Sequence, residues 1–290
     1  MARVAVVGVG AIGGVLAGLL ESAGAHDITL CTRRPLPALT VETPEGLVSV
    51  HARNATSPDQ GTPVDWILVA TKTYDAAGAA LWFPALAGPD TKIAVIQNGV
   101  EHRENFAGLF PPGRILPVVI DVPAERRPDG SVLQRSTALI RVEDSPMGAE
   151  FAALFAGTKA QVELTSDFLS AAWRKLCINS AGVISALTLK PAGILRDEAL
   201  GHVALGIIAE CVAVGRAVGA NLDDGTGERI LANYRAASPD SINSLLADRI
   251  AGRSTEIDAR NGVIIRRGEQ HAIPTPLNCM ALALFKGMVS

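Results

Sequence analysis

The sequence lacks the clustered cysteines, basic runs and metal-ligand spacings that mark several classes of protein. Its four cysteines, at positions 31, 177, 211 and 279, form no Cys-x-x-Cys pair, which argues against a zinc or redox motif and a disulfide scaffold and favours a reducing cytoplasm. Lysine and arginine never form a run longer than two, and the formal net charge is -3, so nucleic acid is not an expected partner. No metal-ligand spacing links the five histidines, and we expect no metal.

An uncharged stretch near the N-terminus imitates a signal peptide only loosely. Residues 4–20 include five glycines, each of which costs about 1 kcal/mol in a helix interior relative to alanine. A membrane-targeting segment is usually rich in leucine and able to form a helix. We therefore expect no membrane association and a cytoplasmic protein.

Length and hydrophobic patterning predict two domains. The chain has 290 residues, of which 48% are hydrophobic, and is long enough for two cores. In residues 1–165, short Val- and Ile-rich runs alternate with helical patterns, which is typical of an α/β fold with an open, doubly wound sheet of the Rossmann type. Residues 166–290 have helical spacing and few β-branched runs, which predicts an all-helical second domain.

The same patterns predict individual elements. A helix is expected over residues 11–23, and a hairpin around the Pro-Glu-Gly turn at residues 44–46 is expected as an insertion before the third core strand. The predicted core strands cover residues 3–7, 28–31, 66–70, 92–97 and 115–122. The predicted helices of the second domain lie within residues 167–187, 197–219, 225–237, 241–251 and 256–268.

A glycine-rich motif, Gly8-Val9-Gly10-Ala11-Ile12-Gly13, follows the first strand directly and opens the first helix. In this context Gly8 permits a tight turn, Gly10 lets the backbone approach a pyrophosphate, and Gly13 lets the helix pack closely on the sheet. The helix N-terminus adds free N–H groups and the positive end of its dipole. The motif, including Ala11 and Ile12, predicts a dinucleotide-binding loop; the alternative is a glycine-rich turn that binds nothing.

The end of the second strand indicates which dinucleotide is bound. An NAD-specific site usually has an acidic residue here for the ribose 2′-hydroxyl, but this sequence continues with Thr32, Arg33 and Arg34. Two guanidinium groups would bind a 2′-phosphate through charge-assisted hydrogen bonds, and Thr32 would be a further donor. We therefore predict NADPH as the cofactor, with a solvated arginine pair as the alternative.

Two polar loops follow core strands at the sheet edge where doubly wound folds bind ligands. Lys72, in residues 71–74, would contact a phosphate or a substrate carboxylate. Asn98, in residues 97–99, would offer its amide to the substrate or to the nicotinamide ribose. The alternatives are a surface lysine and an Asn-Gly turn.

The first helix of the second domain carries the candidate catalytic residue. Lys175 and Asn179 are four residues apart, so both project from one helical face, and the apolar residues between them indicate partial burial. A lysine near a dry cleft can donate a proton to a ketone oxygen while hydride arrives from a nicotinamide. This pattern predicts Lys175 as a general acid; the alternative is a solvated helical lysine.

Two later segments supply further polar candidates. Ser241 and Ser244 are predicted to share a helical face, from which Ser244 would bind a substrate carboxylate. Glu256 would accept a hydrogen bond from a substrate hydroxyl or orient Lys175. The alternative for both segments is the capping of a helix N-terminus.

In order and context, these motifs resemble those of the ketopantoate reductase family over nearly the whole chain. The matching segments are Gly8-x-Gly10-Ala11-Ile12-Gly13, Thr71-Lys72-x-Tyr74, Gln97-Asn98-Gly99, Trp173-x-Lys175-Leu176-x-x-Asn179, Ser244, Thr255-Glu256-Ile257-Asp258 with Asn261-Gly262, and Ile273-Pro274-Thr275-Pro276-x-Asn278. The resemblance implies a Rossmann domain joined to a helical domain like that of 6-phosphogluconate dehydrogenase. It also implies NADPH-dependent reduction of ketopantoate, a small 2-oxo acid, to pantoate in coenzyme A biosynthesis.

The resemblance further implies a role for each matching residue. These roles are Lys175 as the general acid with Glu256 as the second catalytic residue, Asn98, Asn179 and Ser244 around the substrate, Lys72 near cofactor and substrate, and Arg33 near the 2′-phosphate.

One position departs from the family pattern. The family commonly has a second Asn four residues beyond the one matched by Asn179, whereas this sequence has Val183, with Ser185 as the polar residue closest to the vacancy. Loss of an amide that bonds a substrate hydroxyl would lower activity by about tenfold or more. A reductase of another branched or aromatic 2-oxo acid therefore stays open as an alternative. A separate alternative is a non-catalytic NADPH-binding sensor, which would not need Lys175 and Glu256 although both are present. Helical second domains of this kind often pair, which makes a homodimer a further hypothesis.

Overall fold

The computed structural model describes residues 1–289 and divides into two compact units. The first comprises Met1–Gln97 and His102–Phe168; the second comprises Asn98–Glu101 and the described chain from Leu169 onward. The short segment Asn98–Glu101 thus groups with the later residues although it lies only three residues after a core strand of the first unit. The domain boundary expected near residue 165 stays a prediction.

The strands of the first unit form two sheets. In chain order they are β1 (Ala2–Val7), β2 (His26–Cys31), β3 (Leu39–Thr43), β4 (Gly46–Val50), β5 (Arg53–Ala55), β6 (Val64–Val69), β7 (Ala87–Val95), β8 (Ile115–Asp121), β9 (Ala124–Arg126), β10 (Val132–Gln134), β11 (Leu139–Glu143) and β12 (Gln161–Thr165). The large sheet has the order β12-β11-β8-β7-β6-β1-β2-β5, and the small sheet has the order β4-β3-β10-β9. Within the large sheet β1 is parallel to both β2 and β6. The chain therefore reverses its direction of winding at β1, which is where doubly wound folds bind their ligands.

The first unit contains four α-helices, one of which packs against the small sheet. They are α1 (Ala11–Ala23), α2 (Ala76–Ala80), α3 (Phe83–Leu86) and α4 (Pro146–Ala153). A Cβ added at Gly14 would lie 2.6 Å from a methyl of Val132, and one at Gly18 would lie 3.0 Å from a methyl of Val41. Glycine at these two positions of α1 therefore lets the small sheet approach the helix closely.

The predicted helix over residues 11–23 and the predicted hairpin are confirmed. The hairpin consists of β3 and β4, and its partner β10 joins β3 in parallel from far along the chain. The strand expected over residues 92–97 begins earlier and ends earlier, at Ala87 and Val95. The strands β9 to β12 and the helix α4 had no counterpart among the predicted elements.

All regular secondary structure among the described residues of the second unit is helical. Its helices are α5 (Phe168–Ala181), α6 (Val183–Thr188), α7 (Glu198–Ala217), α8 (Thr226–Ala236), α9 (Ser244–Ile250), α10 (Val263–Gln270) and α11 (Pro276–Val289). The segment predicted to be helical over residues 167–187 contains two helices, α5 and α6, because the helix is interrupted at Gly182. The helix expected over residues 256–268 has a π-helical first part, Asp258–Gly262, that continues into α10. The helix α11 was not among the predicted elements.

A buried polar network fixes the π-helical segment within this unit. Asn261 and Asn278 are both fully buried. The side-chain Nδ2 of Asn261 donates to Oδ1 of Asn278 at 2.9 Å and to the carbonyl of Ser180 at 3.3 Å. The Nδ2 of Asn278 in turn donates to Glu210 at 2.7 Å. These two asparagines therefore join α5, α7, α11 and the π-helical segment. The two motifs that contain them, near residues 261 and 278, thus have a structural role.

One described helix, α7, is long and apolar enough to cross a membrane by length and composition alone. In its most apolar stretch 44% of the residues are buried inside the structure, among them Ile208 and Cys211. A core helix of a water-soluble protein meets the same criterion, so the observation is weak evidence for a membrane span.

Candidate active site

The glycine loop of the first unit has the close contacts that its sequence predicts. Gly8 has a positive φ of 92°, and a Cβ there would lie 2.7 Å from the backbone nitrogen of Thr71. A Cβ on Gly13 would lie 2.0 Å from the carbonyl oxygen of Gly8. At Gly10, in contrast, a Cβ would meet no atom within 4 Å, so the space outside this residue is open. The loop thus fits a dinucleotide pyrophosphate.

The helix that follows the loop begins without a side-chain cap. Gly10 occupies the N-cap position of α1, and Ala11 and Ile12 form the start of its first turn. The N–H groups of a first helical turn have no partner within the helix and attract an anion. The start of α1 therefore adds donors to the site that the glycines keep open.

Arg126 contacts the same loop and was missed by the sequence analysis. It lies on β9 and is half-buried, and its Nη1 donates to the carbonyl of Val9. The contact joins residues 117 positions apart and depends on the small sheet packing beside α1. No local pattern could have indicated it. Arg126 holds one carbonyl of the loop and brings a positive charge next to it.

The loop after β2 presents its two arginines to solvent. The side chain of Arg33 is 87% exposed, and its Nη1 lies 3.6 Å from Oδ2 of Asp75; Arg34 is also exposed. Exposed pairs of this kind contribute about 0–1 kcal/mol, so an incoming anion can exchange with Asp75. The hydroxyl of Thr32 donates to the carbonyl of Arg34 at 2.7 Å and accepts from Asn54 at 2.9 Å. In this structure Thr32 shapes the loop, and a bond from it to phosphate would require the bond to Arg34 to break.

The backbone around Lys72 is tied to the loop after β7. Lys72 is half-buried and precedes a short 3-10 turn, Thr73–Asp75. The side-chain amide of Gln97 donates to the carbonyl of Thr71 at 3.2 Å and to that of Lys72 at 3.4 Å. The position of Lys72 is thus fixed relative to the carboxyl ends of two neighbouring strands.

Three of the predicted site residues form a hydrogen-bonded line within the second unit. The Nδ2 of Asn179 donates to Oδ1 of Asn98 at 3.3 Å, and the Nδ2 of Asn98 donates to Oε2 of Glu256 at 2.9 Å. Glu256 is only 4% exposed, whereas both asparagines are half-buried. Lys175 is half-buried and lies one turn before Asn179 on α5. The geometry therefore brings amide groups and a buried carboxylate together beside a helix face that carries a lysine.

Ser244 lies in the same unit, at the first position of α9, and its residue is exposed. Its Oγ accepts a hydrogen bond from Nη2 of Arg260 at 2.7 Å. Arg260 is 3% exposed and lies in the π-helical segment two residues after Asp258. It lies between two recognised motifs, and no local sequence pattern identifies it.

The predicted helical face shared by Ser241 and Ser244 is wrong. The side chain of Asn243 caps α9 by accepting from the backbone N–H of Leu246 at 3.0 Å, so the helix begins only at Ser244. Ser241 lies in the preceding loop. The N-cap of α9 is therefore Asn243 and neither of the two serines, because Oδ1 of Asn243 accepts from the backbone N–H three residues later.

The position that departs from the family pattern is part of the core. Val183 is fully buried in the apolar cluster of the second unit. Ser185 is 1% exposed, and its Oγ has no hydrogen-bond partner among the described residues. The amide of Asn243 donates to the carbonyl of Gly182 at 3.1 Å, which fixes the break between α5 and α6. Where the family commonly has an asparagine amide, this chain thus has the apolar side chain of Val183, which packs in the core.

Two family models match the chain in succession. The model described as ketopantoate reductase PanE/ApbA matches residues 4–146, and the model described as ketopantoate reductase PanE/ApbA C terminal matches residues 167–289. Together they span most of the sequence.

Individual relatives match over nearly their full length. The chain is 51% identical over 284 residues to a 2-dehydropantoate 2-reductase of Caulobacter vibrioides, with 98% of each protein covered. It is 34% identical to a 2-dehydropantoate 2-reductase of Mycobacterium tuberculosis, over 97% of this chain and 96% of that protein. The crystal structure of a PanE/ApbA family ketopantoate reductase from Ralstonia eutropha JMP134 superposes with a TM-score of 0.90 at 31% identity, and covers 99% of this chain and 98% of that one.

Proposed function

This chain belongs to the ketopantoate reductase family, and from that premise we propose that it uses NADPH to reduce 2-dehydropantoate (ketopantoate) to (R)-pantoate. The observation that carries the proposal is the hydrogen-bonded line from Asn179 through Asn98 to Glu256, beside the helix face of Lys175. Curated relatives with this activity favour ketopantoate over another 2-oxo acid and over a non-catalytic sensor. The reaction would belong to coenzyme A biosynthesis in the cytoplasm, and a homodimer stays a prediction.

The substrate is held by polar groups of the second unit. Asn98 and Asn179 each carry an amide that can exchange its present partner for a hydroxyl or carbonyl of the substrate. Ser244 is exposed and offers its hydroxyl to the carboxylate. Glu256 accepts from the substrate hydroxyl or orients Lys175, because its carboxylate is buried within this cluster.

Lys175 supplies the proton. Reduction of a ketone places negative charge on the oxygen as the new C–H bond forms, and a protonated amine at that oxygen neutralises it. Lysine is protonated at rest, as this direction of the reaction requires. After turnover the neutral amine takes a proton from water, and the acid is restored.

The first unit binds the cofactor. A nicotinamide cofactor supplies the hydride when bound. The Gly8–Gly13 loop and the start of α1 accept its pyrophosphate, since the space outside Gly10 is open. Arg33 and Arg34, with Thr32, are the groups that would select a 2′-phosphate, because no acidic residue occupies these three positions. Lys72 would add a cation near the phosphates or the substrate carboxylate.

Turnover measurements on a lysine variant test this proposal. Lys175→Met removes the proton donor while keeping the length of the side chain, and we expect kcat with ketopantoate to fall by about 100-fold or more. Binding of NADPH, followed by fluorescence, should be unchanged. The matched control is Arg174→Met, since Arg174 is an exposed neighbour whose guanidinium bonds the carbonyl of Asn221. Full activity in Lys175→Met would show that this lysine is not the acid.

A further inference from the structure

The second unit contains a buried guanidinium that its packing does not explain. Arg260 is 3% exposed, and its Nε has no hydrogen-bond partner among the described residues. Burial of a charged group with an unused donor is unfavourable, and an apolar side chain of similar volume usually packs at least as well. The presence of arginine at this position therefore points to a role other than stability.

Arg260 belongs to the π-helical segment and bonds one of the candidate site residues, Ser244. Arg260 lies within Asp258–Gly262, one turn after Glu256. Local π-helical turns insert one extra residue into a helix and occur often at functional sites. The neighbouring Asn261 is anchored by Ser180 and Asn278, so the orientation of the segment is fixed.

Two carboxylates and a phenol act electrostatically on Arg260. Glu256, Tyr234 and Asp248 oppose the lowering of its pKa by burial. Each of the three also has another partner: Glu256 accepts from Asn98, Tyr234 donates to the carbonyl of Ile178, and Asp248 accepts from Arg253. An arginine keeps its positive charge even when buried. Arg260 therefore places a positive charge one hydrogen bond from Ser244, where an anion can meet it.

The hydrogen bond from Arg260 sets the direction of the Ser244 hydroxyl. Because Oγ of Ser244 accepts from Nη2 of Arg260 at 2.7 Å, its own hydrogen must point away from the guanidinium. Ser244 is exposed, whereas Arg260 lies one hydrogen bond below it. The hydroxyl is therefore presented as a donor, polarised by a positive charge behind it.

We propose that Arg260 is a positioning residue for the carboxylate of the 2-oxo acid. It holds Ser244 as a donor to that carboxylate and makes the site selective for an anionic over a neutral ligand. The inference rests on the proposed function, because the anion it selects is the carboxylate of that substrate. It adds to the site a residue that no recognised motif contains.

Binding of a charged and a neutral form of the same product tests this proposal. The affinities of pantoate and of its primary amide, in which NH2 replaces one carboxylate oxygen and the charge is lost, are measured by calorimetry on the full chain saturated with NADP+. We expect the native protein to bind pantoate at least about tenfold more tightly than the amide, and Arg260→Met to remove most of this preference by weakening pantoate alone. Ser244→Ala should have a similar effect. The double variant should be no weaker than the weaker single variant, because the two residues act in series.

Two further variants separate positioning from structure. Arg260→Gln keeps a donor for Ser244 without the charge and should also lose the preference, which provides a second neutral variant if Arg260→Met does not fold. Arg229→Met is the matched control, since Arg229 is an exposed arginine of the same unit, paired with Asp223.

The outcomes distinguish this inference from the proposed function. An equal loss of pantoate and amide binding in the neutral variants would reduce Arg260 to a structural residue. An unchanged preference would overturn its role while ketopantoate turnover by the native protein leaves the proposed function standing. A native protein that neither turns over ketopantoate nor binds pantoate would overturn both.

Discussion

His102 is a buried titratable group whose protonation opposes folding. It is 3% exposed, and its Nε2 donates to the carbonyl of Gln97 at 3.0 Å. Burial lowers the pKa of this imidazole from its usual 6.5 to about 4, although the bond to Gln97 acts in the opposite direction. The folded protein thus keeps His102 neutral at pH values where the unfolded chain already binds the proton.

The pH dependence of stability should therefore contain a contribution from this histidine. Its stabilisation is complete above pH 6.5 and is lost progressively as the pH falls toward 4. The loss amounts to roughly 3 kcal/mol at most, at no more than ~1.4 kcal/mol per pH unit. Urea unfolding of His102→Asn across this range should show a shallower dependence on pH than the native protein. His202→Gln, at an exposed position of α7, should retain the native slope; an equally steep slope in His102→Asn would assign the effect to other groups.

Arg33 and Arg34 should set the choice between the two nicotinamide cofactors. Both side chains are exposed, and the ion pair of Arg33 with Asp75 is weak. Both guanidinium groups can therefore bind a 2′-phosphate without giving up a strong bond within the protein. Replacing both by alanine should raise KM for NADPH by about tenfold or more and leave KM for NADH nearly unchanged. Arg135→Ala, which breaks an exposed pair with Glu125, is the control. A parallel rise of both KM values would argue against recognition of the 2′-phosphate.

Site residues that lie in recognisable motifs could be predicted from the sequence. The residues that contact them from distant parts of the chain could not be predicted. Asn98, Asn179 and Glu256 were predicted because each lies in a motif, and the structure brings them into one hydrogen-bonded line. Arg126 and Arg260 were missed because their importance depends on contacts across the fold. A single arginine between motifs has no pattern that distinguishes it from a surface charge.

In the strand-to-helix turn before α1, one glycine is required by protein packing and another leaves space for a ligand. At Gly13 a Cβ would collide with the carbonyl of Gly8 at 2.0 Å, whereas at Gly10 it would enter open space. Gly13→Ala should therefore lower the melting temperature, because backbone atoms must move to admit the methyl group.

Gly10→Ala should keep the native melting temperature of the free protein and lose affinity for NADPH. Its methyl group would occupy the space that the pyrophosphate needs, without touching any protein atom. Thermal unfolding with and without NADPH separates the two variants. Unchanged NADPH affinity in Gly10→Ala would place the phosphates elsewhere.

Elements with a strong local period were predictable, and short strands paired at long range were not. The helix over residues 11–23 follows from its spacing and from the glycine loop that starts it. The strand β10 has three residues and pairs in parallel with β3, so its position depends on the hairpin and not on its own sequence. The π-helical segment before α10 was not predicted either, because a hydrophobic period of 3.6 residues does not show where one extra residue is inserted into a helix.

At the scale of the whole chain, the change of hydrophobic period was sufficient to predict an α/β part followed by a helical part. It could not predict that Asn98–Glu101 groups with the helical unit, because this segment begins only three residues after the end of β7. Contacts such as Asn98 with Glu256 and Arg266 with Glu101 hold it there. The order of motifs along the chain nevertheless agrees with the two family models that match it.

The central claim concerns the substrate, and a comparison of 2-oxo acids tests it most directly. We would measure kcat/KM for ketopantoate and for branched and aromatic 2-oxo acids by the loss of NADPH absorbance, and identify the product as pantoate by chiral chromatography. The account predicts that ketopantoate gives the highest kcat/KM and yields (R)-pantoate. A higher kcat/KM with an aromatic 2-oxo acid, or no turnover of ketopantoate at saturating NADPH, would contradict it.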